Sequence, residues 1–264
     1  MDILKKALAP LTDEAWKEIN EQAGRIFKSY QTARKFVDIE GPKGIEYSAV
    51  PAGRLAVPEQ ETTDGVNLGI RQVMPLIEIR KPFHLDMWEM DNISRGAKDP
   101  DLSSLEEAAK AMALFEEKTI YQGFEKAGIQ GLANSSGHEP VSLPDNPNEV
   151  LKVVAEQVSS LQREAVEGPY SLIINSELWK KLVSLAQGYP ILRQLRDILN
   201  GEVIVNHSAG DSFLVSKRGG DYELVIGQDA AVGYDGHDQD QVKLFFTESF
   251  TFRVLSPEAL IVLK

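Results

Sequence analysis

The chain has 264 residues, of which 42% are apolar and 26% charged, and its net charge at pH 7 is −12, a composition typical of folded globular proteins. So acidic a chain is a poor general ligand for DNA, RNA or anionic lipid, and without cysteine it has no disulfide, thiolate metal site or cysteine nucleophile. No stretch approaches the length of a membrane-spanning helix, so we expect a cytoplasmic protein with no membrane or nucleic-acid partner.

The first predicted element is an amphipathic helix from Thr12 to Tyr30. Apolar residues recur along it at helical spacing, and Thr12 occupies the N-cap position before Asp13 and Glu14. Its apolar side has to be buried, either against the protein's own core or against a ligand. The following stretch, 33–44, predicts a short charged strand before a Gly-Pro-Lys-Gly turn.

Residues 44–82 change to an extended pattern. Two long apolar segments flank the polar run Glu59–Gly65, which predicts two strands joined by a loop. An isolated two-stranded ribbon is marginally stable in water, so its apolar residues need cover. We expect that cover, over Leu68, Ile70, Leu76, Ile77 and Ile79, to come from the rest of the chain or from another copy of it.

The remaining chain alternates between helices and strands. A long helix is predicted from Ser103 to Gly128, and its acidic face is expected to be solvated. An α/β block follows over 140–215, with a buried strand in "GPYSLIIN". The last part is rich in strands, and Arg218-Gly219-Gly220-Asp221 reads as a hairpin turn between two of them.

The sequence offers no catalytic site. It has no dinucleotide-binding, Walker A, zinc-protease or nucleophile-elbow motif, and its four histidines lack metal-ligand spacing. The acidic run Tyr234–Gln241 lacks the ordered spacing of a calcium loop and is best interpreted as a solvated turn. Trp88, in an alternating stretch, is interpreted as a core or subunit contact, with stacking on a flat ligand as the alternative. We therefore predict neither catalytic residues nor a metal site.

Several stretches, from Leu8 onwards, occur in the order in which one family has them. They are "LAPLTDEAW", "RKFVDIEGPKG", "LIEIR", "LDMWEMDNISRG", "DLSSLEEAA", "EGPYSLIIN", "RGGDYELVIGQDAAVGY", "FFTESFTFRV" and "PEALI". On these stretches the chain resembles the family 1 (linocin-like) encapsulins, the shell proteins of prokaryotic nanocompartments. The resemblance implies an α+β fold of the HK97 phage-capsid type and a shell without enzyme activity.

The resemblance also implies a division of the chain. It assigns an N-terminal helix and inner-wall strand (1–44), an E-loop that reaches onto a neighbouring subunit (45–82), and a P-domain with its spine helix (83–134). It then assigns an A-domain (135–222) and C-terminal strands of the P-domain (223–264). Such contacts between copies close into an icosahedral shell, in the smaller members one of about 60 copies (T=1).

A groove for cargo is a further implication. In the encapsulins the N-terminal helix, the next strand and the C-terminal strands bind a short C-terminal targeting peptide of a cargo enzyme. The matching positions make the groove's apolar floor from Ile26, Phe27 and Tyr30. Arg34 and Asp38, four residues apart on one strand face, are expected to be its polar contacts, or else a structural ion pair. The opposite wall is expected to come from Asp229, Ala230 and Phe252.

The family resemblance extends to pores and cargo. It places Gln187, Gly188 and Tyr189 at a pore that admits small substrates, and it allows a flavin to stack on Trp88, although no cofactor is required. The implied cargo is a dye-decolorising peroxidase or a ferritin-like protein, which suggests oxidative stress or iron storage. Two alternatives remain: a phage or prophage major capsid protein of the same fold, and a soluble hydrolase or bacteriocin.

Overall fold

A computed structural model describes residues 3–57, 66–183, 188–208 and 210–264, and of residues 188–190 it describes the backbone alone. The helices in these ranges are α1 (Asp13–Tyr30), α2 (Met87–Ser94), α3 (Ser103–Gln122), α4 (Pro147–Arg163), α5 (Ser176–Val183) and α6 (Gly188–Leu199). The strands are β1 (Asp38–Glu40), β2 (Ala49–Ala56), β3 (Ile70–Pro75), β4 (Ile77–Asp86), β5 (Tyr170–Ile174), β6 (Glu202–Val205), β7 (Ser212–Ser216), β8 (Tyr222–Ile226), β9 (Ala231–His237), β10 (Gln241–Val254) and β11 (Leu260–Leu263).

These strands form two sheets and a separate ribbon. A five-stranded sheet has the order β1-β8-β10-β4, with β9 pairing to β10 as well, and a four-stranded sheet has the order β11-β7-β5-β6. The ribbon consists of β2 and β3 alone. One apolar core lies between α1, α3 and the larger sheet, and a second surrounds the smaller sheet and its helices. The mixed α+β class predicted from the sequence is confirmed.

Helix α1 begins and ends close to its predicted limits. The side chain of Thr12 accepts a hydrogen bond from the backbone nitrogen of Ala15, as expected of an N-cap. The buried face carries Ala15, Ile19, Ala23 and Phe27. The apolar stripe of this helix is therefore largely covered by the chain's own core.

The segment after α1 is not the predicted strand. Ala33–Lys35 forms a turn of 3₁₀ helix, and only Asp38–Glu40 is extended, parallel to β8. The reason is a buried carboxylate of α3: Glu117 accepts hydrogen bonds from the backbone nitrogens of Thr32 and Ala33 and so holds the chain in a turn. Arg34 and Asp38 consequently do not share a strand face.

The ribbon is shorter than the predicted E-loop. Strand β2 pairs with β3 up to Pro75, but from Ile77 the chain joins β10 of the large sheet, so the boundary at residue 82 is wrong. Ile77 and Ile79 are therefore covered by the core. The apolar side chains of Leu55, Ile70 and Val73 stay 60%, 59% and 56% exposed. The loop tip Glu59–Gly65 lies outside the described residues.

Two further predictions about the second half need correction. The last strand, β11, pairs with β7 in the four-stranded sheet, so residues 223–264 do not belong together as predicted. Strands β7 and β8 lie in different sheets, so Arg218–Asp221 is a connection between sheets and not a hairpin turn. An ion pair between Arg218 and Asp221, at 2.9 Å, closes this turn.

Helix α3 ends at Gln122 rather than at Gly128, because Gly123 has φ +88°. A Cβ atom at Gly123 would overlap the carbonyl groups of Ile129 and Gln130, where the returning chain approaches closely. Gly128 has φ +72°, but a Cβ atom added to Gly128 would meet no other atom within 4 Å.

We expect Gly123→Ala to lower the free energy of unfolding by about 3 kcal/mol or more, because it adds a steric overlap to a backbone conformation that only glycine adopts readily. Gly128→Ala is the matched control and is expected to cost about 1 kcal/mol, the strain of a left-handed residue alone. Denaturant unfolding of both variants measures the difference. Equal losses would show that the close approach at Gly123 does not terminate the helix.

Candidate functional site

A groove of about 160 Å³ opens between the C-terminal half of α1 and the loop that leads into β9. Its floor is apolar, and its polar end is formed by Gln31, Arg34 and Asp229. The groove is lined by Asn20, Ala23, Gly24, Phe27, Lys28, Gln31, Arg34, Asp229, Ala230, Ala231, Val232 and Phe246. A cleft with an apolar floor and polar groups beside it suits a peptide segment.

The structure brings only half of the sequence-predicted groove residues together. Phe27, Arg34, Asp229 and Ala230 line the groove. The other four do not, and the reasons differ from one residue to the next.

Ile26 and Tyr30 are half-buried and pack against the core under α1, because neighbouring positions of a helix point in different directions. Tyr30 instead borders a second cavity, beside Lys110 and Thr32. Neither side chain lines the groove described above, and their role in binding a cargo peptide stays a prediction.

Asp38 and Phe252 also lie elsewhere. The carboxylate of Asp38 is exposed and accepts a hydrogen bond from the backbone nitrogen of Gly220 at 2.5 Å, at the connection between the two sheets. Phe252 is 1% exposed, pairs with Leu224 inside the sheet and does not line this groove.

Arg34 holds three carboxylates at the end of the groove. Its Nε and Nη2 donate to the two oxygens of Glu116 at 2.9 and 2.5 Å, and Nη2 also donates to Oε1 of Glu248 at 2.6 Å. Its Nη1 donates to Asp229 at 3.1 Å. Glu116 and Glu248 are fully buried, whereas the side chain of Asp229 is 48% exposed. Only Asp229 therefore presents its charge to the groove.

Burial alone would lower the pKa of Arg34, but the hydrogen bond and charge of Glu116, with the charges of Glu248 and Asp229, outweigh burial and raise it. Burial raises the pKa of Glu248 well above its ordinary value, and the nearby charge of Glu116 adds to this. Arg34 therefore stays charged at any pH at which the protein is folded.

A second buried carboxylate, Glu117, joins the segment after α1 to the smaller sheet. Its Oε1 accepts from the backbone nitrogens of Thr32 and Ala33, both at 2.9 Å. Its Oε2 accepts from the hydroxyl of Thr32 at 2.5 Å and from the amide of Asn206, which follows β6, at 3.1 Å. Burial raises the pKa of Glu117 to about 7, even though the hydrogen bonds from Thr32 and Ala33 oppose that shift.

Sequence reasoning missed Glu116, Glu117 and Glu248. The acidic face of α3 was expected to be solvated, which is wrong for Glu116 and Glu117, both buried. A signal does exist for Glu248: it stands at an inward position of the apolar strand "FFTESFTF", between the buried Phe246 and Phe250. A charged residue at such a position indicates a buried partner.

Trp88 lies in helix α2 and not in an alternating strand, because the carboxylate of Asp86 caps that helix. It is 68% exposed, with the guanidinium of Arg95 5.8 Å from its ring centre, so the core interpretation is wrong. A subunit contact and the stacking of a flavin both remain hypotheses for this residue.

The predicted pore residues are only partly described. Gln187 lies outside the described residues, and Gly188 and Tyr189 open α6 without described side chains. Their role stays a prediction.

Among the residues that the structure covers, no cluster of histidine or acidic side chains could hold a metal ion, and no helix is long and apolar enough to cross a membrane.

Comparison with known proteins gives a match over nearly the whole chain. Residues 1–251 match a family described as "Encapsulating protein for peroxidase". A type 1 encapsulin shell protein of Rhodococcus erythropolis is 39% identical over 100% of both chains. A more distant relative, 24% identical over 76% of this chain and 56% of its own length, is a ferritin-like–encapsulin shell fusion protein of Pyrococcus furiosus.

Solved structures agree on the fold. A virus-like particle protein from Pyrococcus furiosus has a TM-score of 0.69 at 20% identity and covers 94% of this chain and 98% of its own. The capsid protein of the Myoviridae phage XM1 has a TM-score of 0.59 at 11% identity, over 88% and 90% of the two chains. The HK97-type capsid fold predicted from the sequence is thus confirmed.

We expect the stability that Glu117 contributes to fall as the pH rises. The folded state holds the proton more tightly than the unfolded state, so the contribution is complete below pH 4.5 and is lost as the pH rises through about 7. The free energy of unfolding of the wild type, relative to Glu117→Gln, should therefore fall by about 3 kcal/mol between pH 4 and pH 8. Denaturant unfolding across this range measures it.

The control for this experiment is Glu107→Gln, which removes an exposed carboxylate from the same helix. The pH dependence that Glu117→Gln shows beyond that of Glu107→Gln is assigned to Glu117. The same pH dependence in both variants would contradict the assignment of a raised pKa to Glu117.

Proposed function

The chain belongs to the encapsulin family of shell proteins, and from this premise we propose that its shell takes in cargo through the groove between α1 and β9. Its relatives are shell proteins rather than enzymes, and the chain shares their capsid-like fold. The observation that carries the proposal is the groove itself: an open cleft lined by the apolar Phe27, Val232 and Phe246, with Arg34 and Asp229 beside them.

We infer that the ribbon is the main contact between copies. In the part of the chain that the structure covers, β2 and β3 pair only with each other and carry a row of exposed apolar side chains. A two-stranded ribbon gains stability by packing on a further surface, and a shell supplies one on a neighbouring subunit. We propose a closed shell of about 60 copies, with small pores, in the cytoplasm.

The proposed cargo is a peroxidase or a ferritin-like protein with a short C-terminal peptide. The description of the matching family names a peroxidase, and one relative is a fusion with a ferritin-like protein. A short peptide in a groove of this size binds modestly, but an oligomeric cargo presents several peptides to many grooves on one wall. Avidity then retains the cargo without further contacts.

The alternative of a phage capsid protein has weaker support. The phage capsid match, at 11% identity, reports the fold alone, whereas the 39% identical relative is a shell protein. The net charge of −12 also disfavours an inner wall that faces DNA.

We expect Val73→Asp to impair assembly. It places a charge on an exposed apolar position of the ribbon that, in the shell, becomes buried without a partner. The fraction of protein in closed particles, measured by size-exclusion chromatography and negative-stain electron microscopy, should fall at least about tenfold. Gln72→Asp, an adjacent exposed polar position, is the control and should assemble normally. Normal particles from Val73→Asp would contradict the role of the ribbon.

We expect Gly24→Leu to abolish cargo loading without harming the shell. Gly24 lines the groove, and a Cβ atom there meets nothing within 4 Å, so a larger side chain fills the groove without disturbing the core. Gly24→Ala is the control: it leaves most of the groove open and stabilises α1 by about 0.5–1 kcal/mol. Mass spectrometry of shells purified from native cells gives the ratio of peroxidase or ferritin-like protein to shell protein. Equal loading of the two variants would refute the groove.

A further variant tests a charged residue that lies outside the groove. Asp38→Ala removes a charge that the sequence placed at the groove but the structure places at the connection between the sheets. Its cargo loading should equal that of the wild type. Loss of loading in Asp38→Ala but not in Gly24→Leu would move the site to β1.

A further inference from the structure

Two buried carboxylates meet at a single nitrogen below the groove. Oε2 of Glu116 and Oε1 of Glu248 lie 2.5 and 2.6 Å from the same atom, Nη2 of Arg34. Both glutamates are completely buried, one on α3 and one on β10. Asp229 is a third carboxylate on the same guanidinium, so three acidic groups share one positive charge.

Among the described residues, Arg34 is the cation that pairs with Glu116 and Glu248, while Lys28 lines the groove itself. Arg80, on β4, lies 4.3 Å from the ring centre of Phe245 instead. The groups that face the pair from each packed element are Phe27 and Gln31 of α1, Glu117 of α3, which is bound to Thr32 and Ala33, Ile79 of β4, opposite Glu248, and Asp229. Two adjacent buried carboxylates with one shared cation cannot both keep a full charge at low cost.

The hydrogen bonds of the two glutamates are unequal. Glu116 accepts from Nε and Nη2 of Arg34 and from the amide of Gln31 at 3.1 Å, which suits an ionised carboxylate. Glu248 accepts one hydrogen bond, from Arg34, and its Oε2 is buried without a partner. A bare carboxylate oxygen in the interior is costly, whereas a protonated carboxyl group is much less so.

We propose that Glu116 and Glu248 hold one proton between them, on Glu248, and that the single negative charge left on the pair positions Arg34 at the end of the groove. Arg34 is then neutralised from below, and of its three carboxylates only the half-exposed Asp229 offers its charge to a ligand, beside the cation of Lys28 on the groove lining. Release of the proton to solvent converts the carboxyl of Glu248 to a carboxylate and adds a second negative charge beneath the groove. The statement that the groove binds a ligand rests on the proposed function. The statement that Glu248 carries a proton does not.

Three variants test whether Glu116 and Glu248 together carry one negative charge. Glu248→Gln leaves the carboxylate of Glu116 under Arg34. Glu116→Gln removes the charge that helps to keep Glu248 protonated, and the proposal requires that Glu248 then supplies the one negative charge under Arg34. The double variant leaves none. We expect the melting temperature of the shell to fall by a few degrees in each single variant and by roughly 10 °C or more in the double variant, well beyond their sum. Additive losses would overturn the proposal, because each carboxylate would then act as a separate charge.

The proton can also be observed in the wild-type shell, whatever the double variant does. Infrared difference spectra at pH 7 should show the C=O stretch of a protonated carboxyl group that Glu248→Gln lacks and Glu107→Gln retains. Identical spectra for wild type and Glu248→Gln would overturn the proposal.

The melting temperature as a function of pH shows whether Glu248 carries a proton or only fills space in the core. The raised pKa of Glu248 means that its contribution to stability is complete below its ordinary pKa and is lost as the pH rises through the raised value. Glu248→Gln cannot ionise, so its melting temperature relative to the wild type should rise with pH. A constant difference would contradict the shared proton. Cargo loading, measured on the same shells, tests the groove independently.

Discussion

The buried guanidinium of Arg34 is the interaction on which the groove depends. It binds Glu116 of α3, Glu248 of β10 and Asp229 of the loop before β9, so one side chain joins the helix layer, the large sheet and the groove wall. Removing Arg34 would leave its buried carboxylates without a cation, and breaking a buried ion pair in this way typically costs about 3–5 kcal/mol. Arg34 is therefore a structural residue first, and loss of cargo in an Arg34 variant could not by itself identify a peptide contact.

Glu117, which follows Glu116 in α3, is also a buried carboxylate that joins separate parts of the chain. It binds the backbone of Thr32 and Ala33 and the amide of Asn206, so the segment after α1 is tied to both the spine helix and the smaller sheet. The two neighbouring glutamates thus set where the chain turns after α1. This turn fixes how the C-terminal half of α1 lies against the loop before β9, and hence the width of the groove.

The ribbon shows the opposite situation, a surface that the subunit leaves incomplete. Leu55, Ile70 and Val73 are more than half exposed on two strands that pair only with each other among the described residues. Apolar surface of this kind is stabilised when another surface covers it. On the proposed shell, a neighbouring copy would supply that surface.

The sequence by itself determined the elements whose pattern is local: helix α1 with its Thr12 cap, the buried strand β5, and the motifs that indicate the family. The family resemblance named Phe27, Arg34, Asp229 and Ala230, and these four residues line one groove in the structure. Only the tertiary structure decided that Arg34 is held from below by Glu116 and Glu248, that Phe252 is buried, that Asp38 lies elsewhere and that β11 joins the smaller sheet. The physical reason is distance along the chain: these contacts join residues up to 214 positions apart, and no local period of hydrophobicity or charge records which buried acid meets which base.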